Sequence, residues 1–572
     1  MQEATLFSLD EVPFSRYGSY FSLSVNSWGP LDNGLYLHVH YGNGPCAFRI
    51  DPVRSGERLD YRVVARPESL RLLTEDGGEV EFLIEVRGSS GTVRVRGENV
   101  QLQLAMPPER WTWAYQLPAG WAFNYSTHQV QLGLEALRGE VEVDAPWEKG
   151  RGFCFETTHA EVTLTPDESG QFEVAIDDFV TRWVPVERPA FETVREQAAE
   201  EYARWTEGLP AVDDEFVDAR DLAAYVNASA VVNPAGSVTR PTMYMSKMGM
   251  CNVYNWDNVF NAMAHCRHRP DLAWDQLLVM ADHQDEHGKS PSSLNRSGTR
   301  MTVTNSPVHG WGLRYMREAN PDLLTPERAE EAYDYLARWT QWICQVRTWP
   351  GDRLPFHHHG FDSGWDNSSI FDRGVPVVTP AYAAYTILQM ETLADLARDL
   401  GREAQSDDWQ SRRDAMLDAL VEDLWNGDRF IGIVRPSGEE VVCESLLICM
   451  PIVLGERLPE DVQTSLVARI RDHLTEHGLA TEKLDSPNYV EGGYWRGPIW
   501  APSTMLVTSG LLDIGEEELA RTIMRSFCKM CAANGFYENF DPKTGKGYYD
   551  SAYTWTSSVF LMFANWLHEH VG

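Results

Sequence analysis

The chain has 572 residues, enough for two domains or for one large domain with an appendage. Its 84 acidic and 49 basic residues give a formal net charge of −35, which excludes nucleic acid and anionic membrane surfaces as expected partners. The segment Met1–Phe7 has no basic region, and no stretch reaches the roughly 18 uninterrupted apolar residues of a membrane span, so we expect a cytoplasmic protein.

The first third of the sequence alternates between apolar and polar residues with a period of two. The apolar members of this pattern fall in five segments: Leu35–Tyr41, Val80–Val86, Val100–Leu104, Val141–Val143 and Phe172–Ile176. Turn-forming sequences such as Asp76-Gly77-Gly78 and Asp167–Gly170 separate the segments. Short alternating strands at this spacing predict an antiparallel β-sandwich domain over residues 1–186.

A helical period replaces the alternation after this region. Residues 187–215 predict a linker helix, and the remainder, 216–572, contains about a dozen segments with helical spacing. Thr325-Pro326 and Thr379-Pro380 each place a capping residue before a proline, which is typical of helix starts, and Gly288 is expected to cap a helix containing Trp274. Further helices are expected at 216–231, 255–268, 306–319, 406–426, 443–454, 460–474, 498–513, 516–533 and 552–568.

A dozen helices with few strands between them predict a mostly α domain, an (α/α)6 barrel of six helical hairpins. A helical solenoid is the alternative architecture, but no fixed-period repeat is visible in the sequence.

Four connections between the predicted helices are rich in Trp, Asp, Asn, Gly and Arg. They are Tyr254–Phe260, Phe361–Ser369, Gly493–Trp500 and Phe536–Pro542. Tryptophan and tyrosine rings pack against sugar rings while their polar ends bind hydroxyls. Clustered tryptophans beside carboxylates are not needed to build a turn, so these loops indicate a carbohydrate site.

Glycoside hydrolysis requires two carboxyl groups, one on each side of the scissile bond. The proton donor needs a raised pKa, which apolar aromatic surroundings produce by disfavouring the charged form. Asp366, next to Trp365, fits the donor, and Glu538, flanked by Tyr537 and Phe540, fits the second carboxylate. Taken singly, each has a simpler explanation, as a turn-forming aspartate or a helix-capping glutamate.

Several motifs in the helical part resemble those of one family of enzymes. The motifs are Asn255-Trp256-Asp257-x-x-Phe260, Ser306–Trp311, Ser363-Gly364-Trp365-Asp366-x-Ser368, Tyr494–Trp500, Glu538–Gly545 and Trp555-Thr556. The acid motif resembles trehalases and glycoside hydrolase family 63, and the Tyr494–Trp500 stretch resembles family 63 more closely. The motifs occur in the family's order over about residues 250–560.

This resemblance implies an inverting, exo-acting α-glycosidase in which Asp366 is the general acid and Glu538 the general base. It implies an α-glucoside, or a related α-mannoside or small α-glycoside, as substrate, with no cofactor and no metal. The substrate-binding residues implied are Tyr254, Trp256, Asp257, His309, Trp311, Trp365, Asn367, Trp495, Arg496, Gly497, Trp500 and Trp555. Trp256, Trp365 and Trp500 would form the sugar platform, and Asp257, Asn367 and Arg496 would bind hydroxyls.

Two departures from the family pattern are expected to lie near the substrate. Asp362 stands where relatives have Glu, and Ser369–Asp372 replaces an expected Arg, for which Arg373 is a candidate substitute. Both leave the identity of the sugar open.

Other motifs permit other functions. A sugar epimerase on the same barrel would use His309 and the run His357–His359 as acid and base, and a non-catalytic carbohydrate-binding protein would keep the tryptophans alone. The lone pair Cys528–Cys531 is weak evidence for zinc, and the widely spaced cysteines predict reduced thiols. A small carbohydrate is the expected partner, and the oligomeric state stays open.

Overall fold

The computed structural model describes residues 5–25, 33–42, 46–107, 111–150 and 154–570. Its internal contacts divide the chain into two compact units. The first unit comprises Met1–Leu209, Ala224–Asn252 and Asn295–Gly298, and the second comprises Pro210–Ala223, Val253–Leu294 and Thr299–Gly572. The domain limits predicted from the sequence, at 186 and 215, stay a prediction.

The first unit contains two eight-stranded antiparallel sheets. One sheet has the spatial order Phe14–Ser15, Phe21–Val25, Leu35–Val39, Cys46–Arg54, Gln101–Met106, Ala160–Thr165, Glu140–Asp144, with Glu57–Arg58 paired to Cys46–Arg54. The other has the order Thr112–Leu117, Gly120–Tyr125, Val130–Arg138, Gln171–Phe179, Ser90–Glu98, Glu79–Arg87, Leu70–Thr74, Tyr61–Ala65. Phe48 of the first sheet packs edge-on against Phe123 of the second, with ring centroids 5.0 Å apart. The predicted β-sandwich is confirmed.

The register of the strands follows the alternation of the sequence. Leu104 lies opposite Val162, and both side chains are buried between the sheets. Shifting one strand by a single residue would turn its apolar face to solvent, so the pattern fixes the pairing. The predicted turns contain Gly77 and Gly170, whose φ angles of +89° and +82° favour glycine.

The segment predicted as a linker contains the helix Phe191–Thr206. Phe191 and Val194 of this helix form a buried cluster with Leu83 of strand Glu79–Arg87, so the helix packs against the sandwich. The next helix, Val217–Ala230, spans the division between the two units.

The second unit is built from two alternating sets of helices. The inner set is Asp257–His265, His309–Ala319, Pro380–Asp399, the 3₁₀ segment Leu446–Arg457, Ala501–Asp513 and Thr554–Glu569. Each inner helix contacts the next, and the sixth contacts the first, which closes a ring. The helices between them in the chain are Pro270–Leu278, Pro326–Val346, Glu403–Leu424, Glu460–His473 and Glu517–Asn534. This arrangement confirms the predicted (α/α)6 barrel.

Local sequence explains where these helices begin and end. Thr325 and Thr379 accept hydrogen bonds at 3.3 Å from the backbone N–H groups of Arg328 and Tyr382, so both predicted helix starts are confirmed. The inner segment Leu446–Arg457 is 3₁₀ rather than α because Pro451 has no N–H and Gly455, at φ +55°, interrupts it.

The expected cap at Gly288 is wrong. The helix containing Trp274 ends at Leu278, a 3₁₀ turn Ala281–His283 follows, and Gly288 closes a later turn by donating its N–H to the carbonyl of Asp285. Within the described ranges, no helix is both long and apolar enough to cross a membrane.

Candidate active site

The predicted site residues gather at one end of the barrel. Because the chain alternates between inner and outer helices, the inner helices run in the same direction and their N-terminal ends share one end of the ring. Asp257 is the first residue of an inner helix, and Trp500 directly precedes another. Asp366 and Glu538 lie in the connections that lead into the inner helices starting at Pro380 and Thr554. Four connections distant in sequence therefore supply one site.

The loop carrying Asp366 is shaped by Gly364. Gly364 has φ +74°, and a Cβ atom there would lie 2.5 Å from Cε2 of Trp256, so only glycine permits this close packing. Burial raises the pKa of Asp366 to about 6, while a backbone hydrogen bond and the charge of Arg300 lower it. The carboxyl of Asp366 can therefore be either protonated or ionised near neutral pH.

Glu538 lies in a tight hairpin and has a hydrogen-bond donor aimed at it. Its backbone N–H donates to the carbonyl of Asp550 at 2.7 Å, and its side chain is 3% exposed. The hydroxyl of Tyr494 donates to Oε1 of Glu538 at 2.8 Å. Burial raises the pKa of Glu538 to about 8, the Tyr494 hydrogen bond opposes the rise, and the charges of Asp550 and Asp366 add to it.

Asp257 is a third carboxyl at this end of the barrel. Tyr553 donates its hydroxyl to Oδ2 of Asp257 at 3.3 Å. Burial raises the pKa of Asp257 well above its ordinary value, the Tyr553 hydrogen bond opposes this, and the charges of Glu538 and Asp366 raise it further. The three carboxyls are therefore close enough that ionising one disfavours ionising another. Such a site holds protons at a pH where isolated carboxylates are fully charged.

Five of the six predicted tryptophans, all except Trp311, form one cluster. Trp495 stacks on Trp500 with centroids 4.0 Å apart and lies 4.6 Å from Trp365. Trp256 and Trp555 contact each other at 5.6 Å, and each also contacts one of the other rings. None of the five is more than 3% exposed. In this structure the rings pack on one another as an apolar wall, so a sugar platform made of Trp256, Trp365 and Trp500 stays a prediction.

Asn367 and Arg496 bind protein groups in this structure. The Asn367 amide donates to the carbonyl of Gly493 at 3.0 Å and accepts from the N–H of Trp495 at 2.9 Å. Arg496 donates to the carbonyl of Asn367 at 2.8 Å and pairs with Asp372. These contacts tie the loop of the acid to the Tyr494–Trp500 loop.

Gly497 has a related structural use. At φ +141°, it leaves room for Tyr489, whose Cε2 atom would lie 2.5 Å from an added Cβ. Asn367, Arg496 and Gly497, which the sequence predicts as substrate contacts, thus brace loops in this structure, and their role in binding stays a prediction.

Two predicted residues lie on the inner helix His309–Ala319, and both are buried. His309 is 0% exposed and packs edge-on against the rings of Tyr335 and Trp339, with centroids 5.8 and 5.0 Å away. Trp311 is 3% exposed and donates its indole N–H to Ser509 at 3.2 Å. Burial lowers the pKa of His309 to about 3, which disfavours the acid–base role that an epimerase would require.

Tyr254 and the histidine run occupy different settings. Tyr254 is half-buried on the strand Val253–Tyr254. Its charge raises the pKa of Tyr553, whose hydroxyl donates a hydrogen bond to Asp257. His357 is buried against Tyr382 at 4.2 Å, whereas His358 is about half-exposed.

The two departures from the family pattern have definite places in the structure, and their effect on the substrate stays a prediction. Asp362 is buried in an ion pair with Arg347 at 2.7 Å, so its side chain binds a protein group. Ser369 donates its hydroxyl to the buried Glu482 at 2.7 Å, and Arg373 is exposed. Among the described residues, no group of three or more His, Cys, Asp or Glu side chains could hold a metal ion.

Sequence reasoning missed the two tyrosines that bond the carboxyls. Tyr494 lies in the Tyr494–Trp500 motif but is not among its predicted site residues, and Tyr553 precedes the Trp555-Thr556 pair. The signal for Tyr494 is structural, because its φ of +63° is rare for a non-glycine residue and is often found at functional sites.

A closed helical barrel with carboxyls at one end and a tryptophan cluster beside them defines a glycoside hydrolase site. Residues 250–556 match the family described as the mannosylglycerate hydrolase MGH1-like glycoside hydrolase domain. The chain belongs to this family, part of glycoside hydrolase family 63, as the motifs predicted.

Curated relatives agree with this assignment. A mannosylglycerate hydrolase from Rubrobacter radiotolerans is 24% identical over 438 residues, covering 60% of this chain and 96% of the relative. A probable mannosyl-oligosaccharide glucosidase from Schizosaccharomyces pombe is 23% identical, covering 51% of this chain and 41% of the relative. The chain is an α-glycosidase, and the prediction of an enzyme acting on α-linked sugars is confirmed. The alternatives of an epimerase and of a non-catalytic binding protein find no support.

Solved structures share the fold. The family 63 mannosylglycerate hydrolase of Thermus thermophilus in complex with Tris is 20% identical, covers 59% of this chain and 98% of its own, and has a TM-score of 0.53. A bacterial glucoamylase complexed with acarbose is 10% identical, covers 99% of this chain and 94% of its own, and has a TM-score of 0.65. The second likeness spans the sandwich and the barrel.

Proposed function

We propose that this α-glycosidase is exo-acting and inverts configuration, with Asp366 as general acid and Glu538 as general base. The observation that carries the proposal is the pairing of these two carboxyls at one end of the barrel, where the charge of Asp366 raises the pKa of Glu538. Two interacting carboxyls that retain a proton near neutral pH are what acid–base hydrolysis of a glycoside needs.

The chemistry follows from these roles. Asp366 donates its proton to the glycosidic oxygen as the bond from that oxygen to the anomeric carbon breaks. Glu538 takes a proton from a water molecule, whose oxygen attacks the anomeric carbon from the opposite face of the ring. Tyr494 holds one oxygen of Glu538 in place, which leaves the other to face the water. An α-glycoside then releases the β-anomer of the sugar.

We further propose that the substrate is a small α-mannoside or α-glucoside whose leaving group carries a carboxylate. Relatives from two bacteria and a plant are named mannosylglycerate hydrolases, and another is named as a glucosidase. Arg300 supports an acidic leaving group. It is exposed, its charge reaches Asp366, and its guanidinium makes no ion pair within the described part of the chain. Because the acid protonates the leaving group, a carboxylate there would lie near Arg300. A cytoplasmic location stays a prediction.

Proton NMR of freshly released sugar tests the proposal. Wild type, Asp366→Asn and Glu538→Gln would each be given mannosylglycerate, glucosylglycerate and neutral α-glycosides. We expect the β-anomer to appear first with wild type and to be lost in both variants. Initial release of the α-anomer would mean retention and would refute the role of Glu538 as a base. Equal rates on acidic and neutral substrates would refute the proposed leaving group.

A further inference from the structure

The short helix Gly360–Ser363, which leads into the acid loop, is held by a buried aspartate. Asp362 is 1% exposed and accepts three hydrogen bonds. Arg347 donates to Oδ2 at 2.7 Å, the backbone N–H of His358 donates to Oδ2 at 2.9 Å, and that of Thr304 donates to Oδ1 at 3.1 Å. Asp362 therefore joins three separate segments at one point.

The helix is coupled rigidly to the residue that follows it. The Ser363 hydroxyl donates to the carbonyl of Gly360 at 2.6 Å and accepts from the N–H of Trp365 at 3.0 Å. A Cβ atom on Gly360 would lie 1.7 Å from the carbonyl oxygen of Asp366, so the two backbones are in direct contact. A displacement of Asp362 would therefore move Asp366.

The partner of Asp362 is equally constrained. Arg347 directly follows the outer helix Pro326–Val346, is 1% exposed, and its guanidinium carbon lies 5.0 Å from the ring centroid of Trp342. Within the described ranges, Asp362 is its sole carboxylate partner. Leaving either charge unpaired in the interior is unfavourable, so the ion pair holds Arg347 and Asp362 in fixed positions relative to each other.

We propose that the buried Arg347–Asp362 pair is a positioning device that aims the carboxyl of Asp366 at the glycosidic oxygen. The pair touches no substrate and acts through the Gly360–Asp366 segment. The inference rests on the proposed function, since it requires Asp366 to be the general acid. It also explains why an aspartate occupies this position: its short side chain reaches Arg347 and two backbone N–H groups together.

The test compares two leaving groups in the full chain. An α-mannoside of glycerate needs a proton on its leaving oxygen, whereas α-mannosyl fluoride releases fluoride ion without one. We expect Asp362→Asn to lower kcat on mannosylglycerate by about 10²-fold, the effect of a misplaced catalytic group, with less than about a fivefold loss on the fluoride. Asp366→Asn, measured beside it, should show the same selectivity.

Two further variants keep the result interpretable. Asp352→Asn breaks a partly exposed Arg–Asp pair, with Arg435, and should leave the ratio of the two rates unchanged. If Asp362→Asn does not fold, Asp362→Leu combined with Arg347→Met removes both charges and replaces them with apolar groups. That double variant should show the same selective loss.

The outcomes separate the inference from the proposed function. Equal losses on both substrates in the Asp362 variants, with selective loss in Asp366→Asn, would overturn the positioning role alone. Equal losses in Asp366→Asn itself would overturn the assignment of the general acid. Selective loss in both supports both.

Discussion

Replacing Tyr494 by Phe removes the hydroxyl that donates to Glu538 at 2.8 Å and leaves the ring in place. A hydrogen bond to a charged group contributes about 1.5–3 kcal/mol, and one pKa unit corresponds to about 1.4 kcal/mol. The loss should therefore raise the pKa of Glu538 by about 1–2 units above its already raised value of about 8.

The consequence for activity depends on where the shared proton lies. Because the pKa of Glu538 lies above that of Asp366, a singly protonated site carries its proton mostly on Glu538, and the reacting state, with the proton on Asp366, is the minority form. Raising the pKa of Glu538 draws the proton away from Asp366. We expect kcat/KM at pH 7 to fall about 10- to 100-fold, with the alkaline limb of the profile moving up by about 1–2 pH units.

The assay is the pH dependence of kcat/KM from pH 4.5 to 10 on mannosylglycerate, which reports the free enzyme. Tyr549→Phe is a matched control, because its ring lies 5.3 Å from Tyr494 and its hydroxyl donates to the carbonyl of Gly492 rather than to a carboxyl. A profile in which the acid limb moves and the plateau keeps its height would refute this proton distribution. An unchanged profile would show that Tyr494 does not influence the base.

Two further predictions concern stability and selectivity. In urea titrations, Gly364→Ala should lower the free energy of unfolding by about 2 kcal/mol more than Gly351→Ala. Both glycines have positive φ, but only an added Cβ at position 364 would clash with Trp256. Equal losses in the two variants would contradict the close packing. Arg300→Gln should raise KM for mannosylglycerate about tenfold and leave kinetics on α-mannosyl fluoride unchanged, because only the former has a carboxylate; equal changes on both would refute the contact.

Sequence alone predicted those parts of the fold that local rules determine. The Thr-Pro helix starts and the alternating strands were found because capping and side-chain alternation act over a few residues. The strand Cys46–Arg54 was missed, since Pro52 within it is unfavourable in a sheet interior. The ring of inner helices was inferred from helix number, and its closure depends on contacts between segments far apart in sequence.

The sequence predicts where the candidate site lies more accurately than it predicts which groups each side chain contacts there. A tryptophan that stacks on a sugar and one that stacks on another tryptophan have the same ring, so sequence cannot distinguish Trp365 in either setting. The same holds for Asn367, whose amide can bind a hydroxyl or a backbone group. Asp362 was expected near the substrate, and only the position of Arg347 shows its actual partner.

The closure of the ring limits how far the barrel can fold while the chain is still being synthesised. The first inner helix, Asp257–His265, meets the sixth, Thr554–Glu569, through Asn261, whose amide donates to Thr554 and accepts from Ser558, both at 2.9 Å. A ribosome must therefore synthesise nearly 300 further residues before Asn261 finds these partners. Until then the first and fifth inner helices each lack one neighbour in the ring, so the nascent barrel exposes apolar surface that chaperones bind.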